Sequence, residues 1–219
     1  MMRLVSGSLN YSSWTMRPWL ALEHAQAPYK VLDVGMLTSD DWLDRVLSFS
    51  GAGKVPVLVD GALTIHESLA ICEYVAEKYP EAQLWPRDAA LRARGRALSC
   101  EMLSSFQALR NAMPTNLRGR ATVTPTAPGV DRDVARILDI WRSSLDTTPG
   151  PFLLGDFSIV DCMFMPVASR FRTYKVALPD FAQSYLERIF ALPTVQKLEG
   201  LAAAAPAIPK YDAALGSGS

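Results

Sequence analysis

The chain has 219 residues, of which 22 are Lys or Arg and 22 are Asp or Glu, so its formal net charge is zero. Apolar residues make up 49% and charged residues 20%, a composition that excludes a wholly disordered chain. Zero net charge gives no long-range attraction to phosphate backbones or anionic lipids, so we expect neither nucleic acid nor membrane as a partner.

Alternating strand and helix signals fill the first eighty residues. Apolar and β-branched runs predict strands at about 4–6, 29–34, 55–59 and 63–65. Helices are predicted from residue 12 or 13 to about 25, over 38–49 with Thr38 or Ser39 as the cap, and over 68–78. The order βαβαββα predicts an α/β domain over residues 1–80, with one crossover joining the first two strands and a hairpin at the sheet edge.

Helical signals alone follow a proline-bracketed linker at residues 81–86. Amphipathic spacing predicts helices at about 88–113, 131–145, 158–172, 182–190 and 193–204. Ser158 and Asp161 have the spacing of a capping box, in which each side chain accepts the backbone N–H of the other residue. Residues 87–215 are therefore expected to form an all-α domain.

The cysteines and the N-terminal residues indicate the compartment. Cys72, Cys100 and Cys162 lie far apart, and an odd number of widely spaced cysteines argues against a disulfide framework. The first residues lack the apolar core of a secretory signal, and no apolar run is long enough to span a bilayer. These features predict a cytoplasmic protein.

Two serines stand at the predicted start of the first helix. The N–H groups at a helix start lack intrahelical partners and the helix dipole is positive there, so Ser12-Ser13 can hold an anion and donate a hydroxyl proton to it. The alternative is that these serines only cap the helix. Taken alone, the two residues leave both interpretations open.

Two further dipeptides could bind a peptide-like ligand. In Val55-Pro56 the bond is of the kind that can be cis, which would turn the N–H and C=O of the preceding residue toward such a ligand. At Glu67-Ser68 a strand passes into a helix, where Ser68 suits a carboxylate and Glu67 an ammonium, the two charges of an α-amino acid. The alternatives are a trans edge-strand proline and an ordinary acidic residue before a helix.

Together these segments resemble the N-terminal domain of the glutathione transferases, and within that family a bacterial-type, zeta-like form. The stretch SSWTMR at residues 12–17 is similar to the Ser-Ser-Cys-x-x-Arg start of the first helix in the zeta class. Residues 54–58 (KVPVL) and 64–71 (TIHESLAI) are similar to that class's QVPxL and TIHQSLAI segments. Trp14 and Trp19 depart from the class, which has cysteine and a second arginine at these positions.

The resemblance implies the glutathione transferase fold, a thioredoxin-like domain followed by an all-α domain. It also implies that glutathione is the co-substrate. Ser12 would donate a hydrogen bond to the glutathione sulfur, and Ser13 would support it from the same helix end. The sequence does not decide which of the two serines touches the sulfur.

Further glutathione contacts follow from the same resemblance. Val55 would pair its backbone with the cysteinyl unit, held in place by a cis Pro56. Glu67 and Ser68 would take the ammonium and carboxylate of the γ-glutamyl unit. Lys54 would reach the carboxylate of the glycine unit.

A second site, for the electrophile, is expected between the domains and facing the first helix. Trp14 would lie near its mouth, and Arg110 and Arg118 flank the region where an acidic substrate would bind. The alternatives are core packing for the apolar residues and solvated surface positions for the arginines. The expected apolar wall consists of Met102, Phe106, Met113, Pro114 and Phe171.

The sequence therefore predicts a homodimeric glutathione transferase that adds the glutathione thiolate to a small hydrophobic electrophile. One alternative is a glutathione-dependent cis-trans isomerase that acts on a maleylacetoacetate-like acid. Another is a non-catalytic interaction module with the same fold. His24 and His66 are too isolated to form a metal site, so no metal is expected.

Overall fold

The computed structural model describes residues 1–36 and 39–216 of the chain. Thr38, one of the two predicted caps of the second helix, lies outside the described residues. The first elements have the predicted order βαβαββα: β1 (Met2–Ser6), α1 (Ser13–His24), β2 (Tyr29–Asp33), α2 (Trp42–Leu47), β3 (Val57–Asp60), β4 (Leu63–His66) and α3 (Ser68–Lys78).

The four strands form one mixed sheet in the order β2-β1-β3-β4. β1 pairs in parallel with β2 and antiparallel with β3. β3 and β4 form the predicted antiparallel hairpin. Because side chains alternate along a strand, Leu4 and Leu58 enter the large core that contains α1 and α3, while Val5 and Val57 pack with Val46 of α2 on the other face. The sheet is thus covered by helices on both faces.

Two of these elements are shorter than the sequence predicts. β3 begins at Val57 rather than at residue 55, and Pro56, which has no N–H to donate, precedes it in a cis peptide with Val55. α2 covers only Trp42–Leu47 instead of 38–49. The segment between β2 and β3 therefore contains more loop than helical spacing indicates.

The chain after α3 contains a 3₁₀ turn at Pro80–Ala82 and then helices. They are α4 (Ala89–Ser104), α5 (Gln107–Ala112), α6 (Val130–Thr147), α7 (Ile159–Thr173), α8 (Asp180–Ala191), α9 (Pro193–Ala204) and α10 (Pro209–Asp212). A second 3₁₀ turn covers Ala213–Leu215. The predicted all-α part is present, and the exact domain boundary stays a prediction.

The single helix predicted over residues 88–113 is wrong, because the chain breaks between α4 and α5. Phe106 at the break has a left-handed backbone with φ 67°. Asp133 accepts the Leu109 N–H at 3.0 Å, and Arg110 donates to the carbonyl of Ser105 at 3.0 Å and to that of Met102. These contacts satisfy backbone groups that the break leaves without helical partners, and amphipathic spacing does not detect them.

α7 is the central helix of the all-α part and joins it to the sheet domain. It is buried along almost its whole length and packs against α1 as well as α4. The capping box predicted at Ser158 and Asp161 is present, with the Ser158 N–H donating to the Asp161 carboxylate at 2.9 Å. Because α7 packs against α1, this helix lies where the two parts meet.

None of the described helices is both long and apolar enough to cross a membrane.

Candidate active site

The first helix begins at a buried serine whose hydroxyl contacts Thr15. Ser12 is the N-cap of α1 and is 3% exposed. Its Oγ accepts the Thr15 N–H at 3.3 Å and lies 3.0 Å from Thr15 Oγ1. If the Thr15 hydroxyl donates in that second contact, the Ser12 hydroxyl proton is free to point into the adjoining cleft. Ser13, the first residue of α1, is also buried.

The cis peptide lies across the cleft from this helix start. An ideal Cβ on Gly7 would sit 3.3 Å from Val55 Cγ2 and 3.5 Å from the Ser12 Cβ. The absence of a side chain at Gly7 thus lets the loop after β1 pass close to both residues. Lys54, immediately before Val55, is exposed.

The junction of β4 and α3 forms another edge of the cleft. Glu67 is the N-cap residue of α3 and has a left-handed φ of 73°, an unusual conformation for a residue with a side chain. Ser68 is fully buried, and its Oγ finds no hydrogen-bond partner among the described residues. A buried hydroxyl without a partner is costly, so this junction fits a polar ligand.

These elements surround a first pocket of about 420 Å³, within the size range of small-molecule sites. Of the residues predicted to bind glutathione, Ser12, Lys54, Val55, Pro56 and Glu67 line it. Ser13 and Ser68 do not line this pocket. Its remaining walls come from Trp14, Met36, Trp42, Ala52, His66, Leu103 and Tyr211.

A second pocket of about 270 Å³ adjoins the first. Four residues line both pockets and so mark their junction: Ser12, Trp14, Met36 and Tyr211. Ser13 faces the second pocket only. The other residues of this pocket are Tyr11, Gln107, Arg110, Pro114, Thr115 and Arg170.

Buried arginines give the second pocket a positive character. Arg170 is 4% exposed and donates to the carbonyls of Met113 (2.8 Å) and Pro166 (3.1 Å), yet it still lines the pocket. Burial, with a smaller contribution from the charge of Arg110, lowers the pKa of Arg170 to about 9. The guanidinium carbon of Arg110 lies 5.1 Å from the ring centroid of Trp14. These cations favour an anionic group in the pocket.

A third arginine belongs to α1 itself. Arg17 is fully buried, and none of its guanidinium nitrogens has a hydrogen-bond partner among the described residues. Its guanidinium carbon lies 4.5 Å from the centroid of the Trp14 ring. Burial, and then the charge of Arg110, lowers the pKa of Arg17. The start of α1 therefore lies in a region where the positive charge of the arginines is not fully paired with negative groups.

Most residues of the predicted apolar wall lie in the core and line neither of the two pockets. Phe171 packs edge-on against Trp141 with the ring centroids 5.4 Å apart, inside the all-α core. Met102, Phe106 and Met113 are likewise buried in that core and line neither pocket. Helical spacing marks the inward face of a helix but does not distinguish a core from a cavity wall.

The remaining predicted residues divide between the pockets and the surrounding structure. Pro114 and Arg110 line the second pocket, as expected, and Trp14 lines both pockets. Arg118 lines neither pocket and instead donates to the hydroxyl of Tyr11 at 2.9 Å and to the carbonyl of Ala205. Among the described residues, no group of three or more His, Cys, Asp or Glu side chains could hold a metal ion.

Sequence reasoning missed several residues of the cleft. Arg170 gives a usable signal, because a charged residue in the last turn of a helix that is otherwise apolar and buried needs polar partners for its charge. Tyr211 gives none, since it lies far from Ser12 in the sequence and has no local pattern. Met36 and Trp42 lie in loop and helix-start positions that binary patterning treats as ordinary surface.

Comparisons with known proteins agree with this geometry. Residues 11–78 match the family model of the glutathione S-transferase N-terminal domain. A probable maleylacetoacetate isomerase of Caenorhabditis elegans is 31% identical over 163 residues, covering 73% of this chain and 75% of the relative. Glutathione S-transferase Z1 of Arabidopsis thaliana is 28% identical over 191 residues, covering 84% and 86% of the two chains.

Solved structures share the fold over nearly the whole chain. A glutathione transferase homologue from Burkholderia, crystallised with bound glutathione, has a TM-score of 0.72 at 22% identity and covers 94% of this chain and 99% of its own. Glutathione transferase F2 of Populus trichocarpa has a TM-score of 0.74 at 19% identity, covering 93% and 100%. A thioredoxin-like domain that carries this cleft, followed by helices, is the fold that this chain shares with these glutathione transferases. The chain belongs to the glutathione S-transferase family, and its curated relatives include zeta-class members.

Proposed function

We propose that this chain is a glutathione transferase in which the Ser12 hydroxyl stabilises the thiolate of bound glutathione. The observation that supports this most directly is the position of Ser12, which lines both pockets and whose Oγ accepts the Thr15 N–H and lies 3.0 Å from Thr15 Oγ1. A hydroxyl held in this way can donate to a sulfur that lies between the pockets. Ser13 faces only the second pocket, which favours Ser12 as the residue in contact with the sulfur.

Glutathione would occupy the first pocket, with its three units spread over three edges. The backbone of Val55, beside the cis Pro56, would pair with the cysteinyl unit. The γ-glutamyl unit would place its ammonium at Glu67 and its carboxylate at the α3 N-terminus, where the buried Ser68 hydroxyl needs a partner. Lys54 would reach the glycine carboxylate.

The chemical task of the site is to keep a thiol ionised at neutral pH. A free thiol has a pKa of about 8.5, so only a small fraction is the reactive thiolate. The Ser12 hydrogen bond, the positive end of α1 and the charge of Arg17 each favour the anion. The thiolate would attack an electrophilic carbon in the second pocket, forming a C–S bond while a leaving group such as halide departs with the electron pair.

Arg110 and Arg170 favour an electrophile that carries a carboxylate. This observation also supports the second candidate function, cis-trans isomerisation of an unsaturated acid. In that reaction the thiolate would add to a double bond conjugated to a carbonyl, the resulting single bond would rotate, and expulsion of the thiolate would restore the double bond. Both functions use the same two pockets, and they differ only in whether the sulfur leaves again.

Steady-state kinetics with two aryl chlorides test this proposal. We expect turnover of both 1-chloro-2,4-dinitrobenzene and 4-chloro-3-nitrobenzoate, with Ser12→Ala losing activity toward each and Ser13→Ala losing less. Arg110→Met should selectively raise the KM of the benzoate, while Arg94→Met should not, because Arg94 contacts Thr147 outside both pockets. Glutathione binding without any turnover, including that of a maleylacetoacetate-like acid, would instead support the non-catalytic module.

The homodimer and the cytoplasmic location implied by the resemblance stay predictions. A homodimer would be recognised in solution by light scattering coupled to size-exclusion chromatography. A mass equal to that of one chain would contradict it. The proposed chemistry at Ser12 uses groups of one chain only, so it does not depend on this result.

A further inference from the structure

Residues 206–216 form a strap across the cleft. This strap contains α10 and the second 3₁₀ turn. Tyr211, in α10, lines both pockets, and its ring stacks on that of Tyr11 with the centroids 5.4 Å apart and 26° between the planes. The strap therefore supplies an aromatic wall to a site whose other components precede it by many residues.

The hydroxyl of Tyr11 is the main attachment point of the strap. Tyr11 is 2% exposed. Its hydroxyl donates to Asp212 Oδ1 at 2.7 Å and accepts from the Ile208 N–H at 3.1 Å and from Arg118 Nη2 at 2.9 Å. The hydroxyl of Tyr11 thus fixes the strap at Ile208, before Tyr211, and at Asp212, after it.

Asparagine side chains extend this network to the loop that precedes α1. Asn116 Nδ2 donates to Asp212 Oδ1 at 2.8 Å, and Asn116 Oδ1 accepts from Asn10 Nδ2 at 2.9 Å. Asn10 and Tyr11 are the residues directly before Ser12. The same buried contacts thus order the strap and the backbone that leads to the proposed catalytic hydroxyl.

We propose that the strap is the outer wall of the electrophile pocket and that Tyr211 determines specificity there, favouring flat, unsaturated electrophiles. The inference rests on the proposed function, because it assigns the second pocket to the electrophile. Trp14 and Tyr211 both line that pocket. Aromatic side chains favour stacking with another π-system over contact with a flexible alkyl chain. Tyr11 acts as a positioning residue, since it holds Tyr211 by stacking and the strap by hydrogen bonds.

Binding measurements with three ligands test the role of Tyr211. Calorimetry would give Kd for glutathione, S-hexylglutathione and S-(4-nitrobenzyl)glutathione. We expect Tyr211→Ala to weaken the nitrobenzyl conjugate about three- to tenfold relative to glutathione, with a smaller effect on the hexyl conjugate. Tyr211→Phe keeps the ring and should retain wild-type affinity for all three ligands. Equal losses for the three ligands, or no loss, would overturn the assignment of Tyr211.

Release of the strap provides a second test. Asp212→Ala removes the acceptor of Tyr11 and Asn116 without altering a residue that lines either pocket. It should weaken the nitrobenzyl conjugate and speed proteolytic cleavage within residues 206–216. Tyr74→Phe is the matched control, because it removes a hydroxyl that donates to Asp60 outside the pockets. Wild-type affinity and unchanged proteolysis in Asp212→Ala would overturn the strap's role, whereas a wild-type chain that binds none of the ligands would refute the proposed function itself.

Discussion

The carboxylate of Glu67 should set the preference of the first pocket for a ligand with a free α-amino group. Glu67 lines this pocket, is exposed to solvent, and is held in a left-handed conformation at the junction of β4 and α3. Backbone outliers of this kind cluster at functional sites because the surrounding structure must impose them. We predict that Glu67→Gln, which removes the charge but keeps the side-chain size, weakens glutathione binding.

The expected magnitude follows from the exposure of Glu67. Ion pairs that stay in solvent are worth about 0–1 kcal/mol, whereas hydrogen bonds to charged groups in less exposed sites reach about 1.5–3 kcal/mol. The contribution of Glu67 to the binding free energy should lie between these limits, because Glu67 is exposed in the free protein but would be covered on one side by a ligand in the pocket. A loss of about 1–2 kcal/mol corresponds to a rise in Kd of about five- to thirtyfold.

Calorimetric titrations with two ligands isolate this interaction. One ligand is glutathione and the other is its desamino analogue, which lacks only the α-amino group. The wild-type chain should prefer glutathione by about five- to thirtyfold, and Glu67→Gln should bind the two ligands alike. Glu77→Gln is the matched control, since Glu77 lies on the same helix outside the first pocket. Undiminished discrimination by Glu67→Gln would refute the assignment of Glu67 to the ammonium.

Substitutions at three further positions test the support of Ser12 and the core packing. Thr15→Val should raise the pKa of the bound thiol by about 0.5–1 unit, because the 3.0 Å contact with Ser12 needs a hydroxyl at residue 15. Thr15→Ser keeps the hydroxyl and should leave this pKa unchanged. The thiolate absorbance of bound glutathione measures the pKa in both variants. Gly95→Ala would place a Cβ 2.6 Å from Leu154 Cδ1 and should lower the free energy of unfolding by about 1–3 kcal/mol. Gly200→Ala, in open space within α9, should raise it by about 0.5–1 kcal/mol, and urea titration compares the two variants. Destabilisation of both glycine variants by the same amount would contradict the packing argument.

The order of the first strands and helices along the chain, and several residues of the first pocket, could be predicted from the sequence because their signals are local. Alternating apolar residues mark each strand, and the residues around Pro56 and Glu67 occupy defined places after a loop or a strand. Ser158 and Asp161 form a capping box that needs only their spacing. Such features depend on a few neighbouring residues, so they can be recognised in the sequence.

The second pocket could not be predicted in the same way. The break at Phe106 is stabilised by Asp133 of another helix, and Tyr211 reaches the cleft only because the strap bonds to Tyr11. Both depend on contacts between residues far apart in the sequence, and no periodicity encodes them. Met102 shows a further limit of sequence patterns. An apolar helix face predicts that this residue is buried, but not whether a cavity adjoins it.

The pH dependence of the thiolate absorbance of bound glutathione tests the central claim, that Ser12 stabilises the anion. In the wild-type complex the thiol should ionise about one to two pKa units below the ordinary value of about 8.5. Ser12→Ala should return the pKa to within about half a unit of that value, whereas Ser13→Ala should leave it close to wild type. An unchanged pKa in Ser12→Ala, with glutathione still bound, would contradict the account.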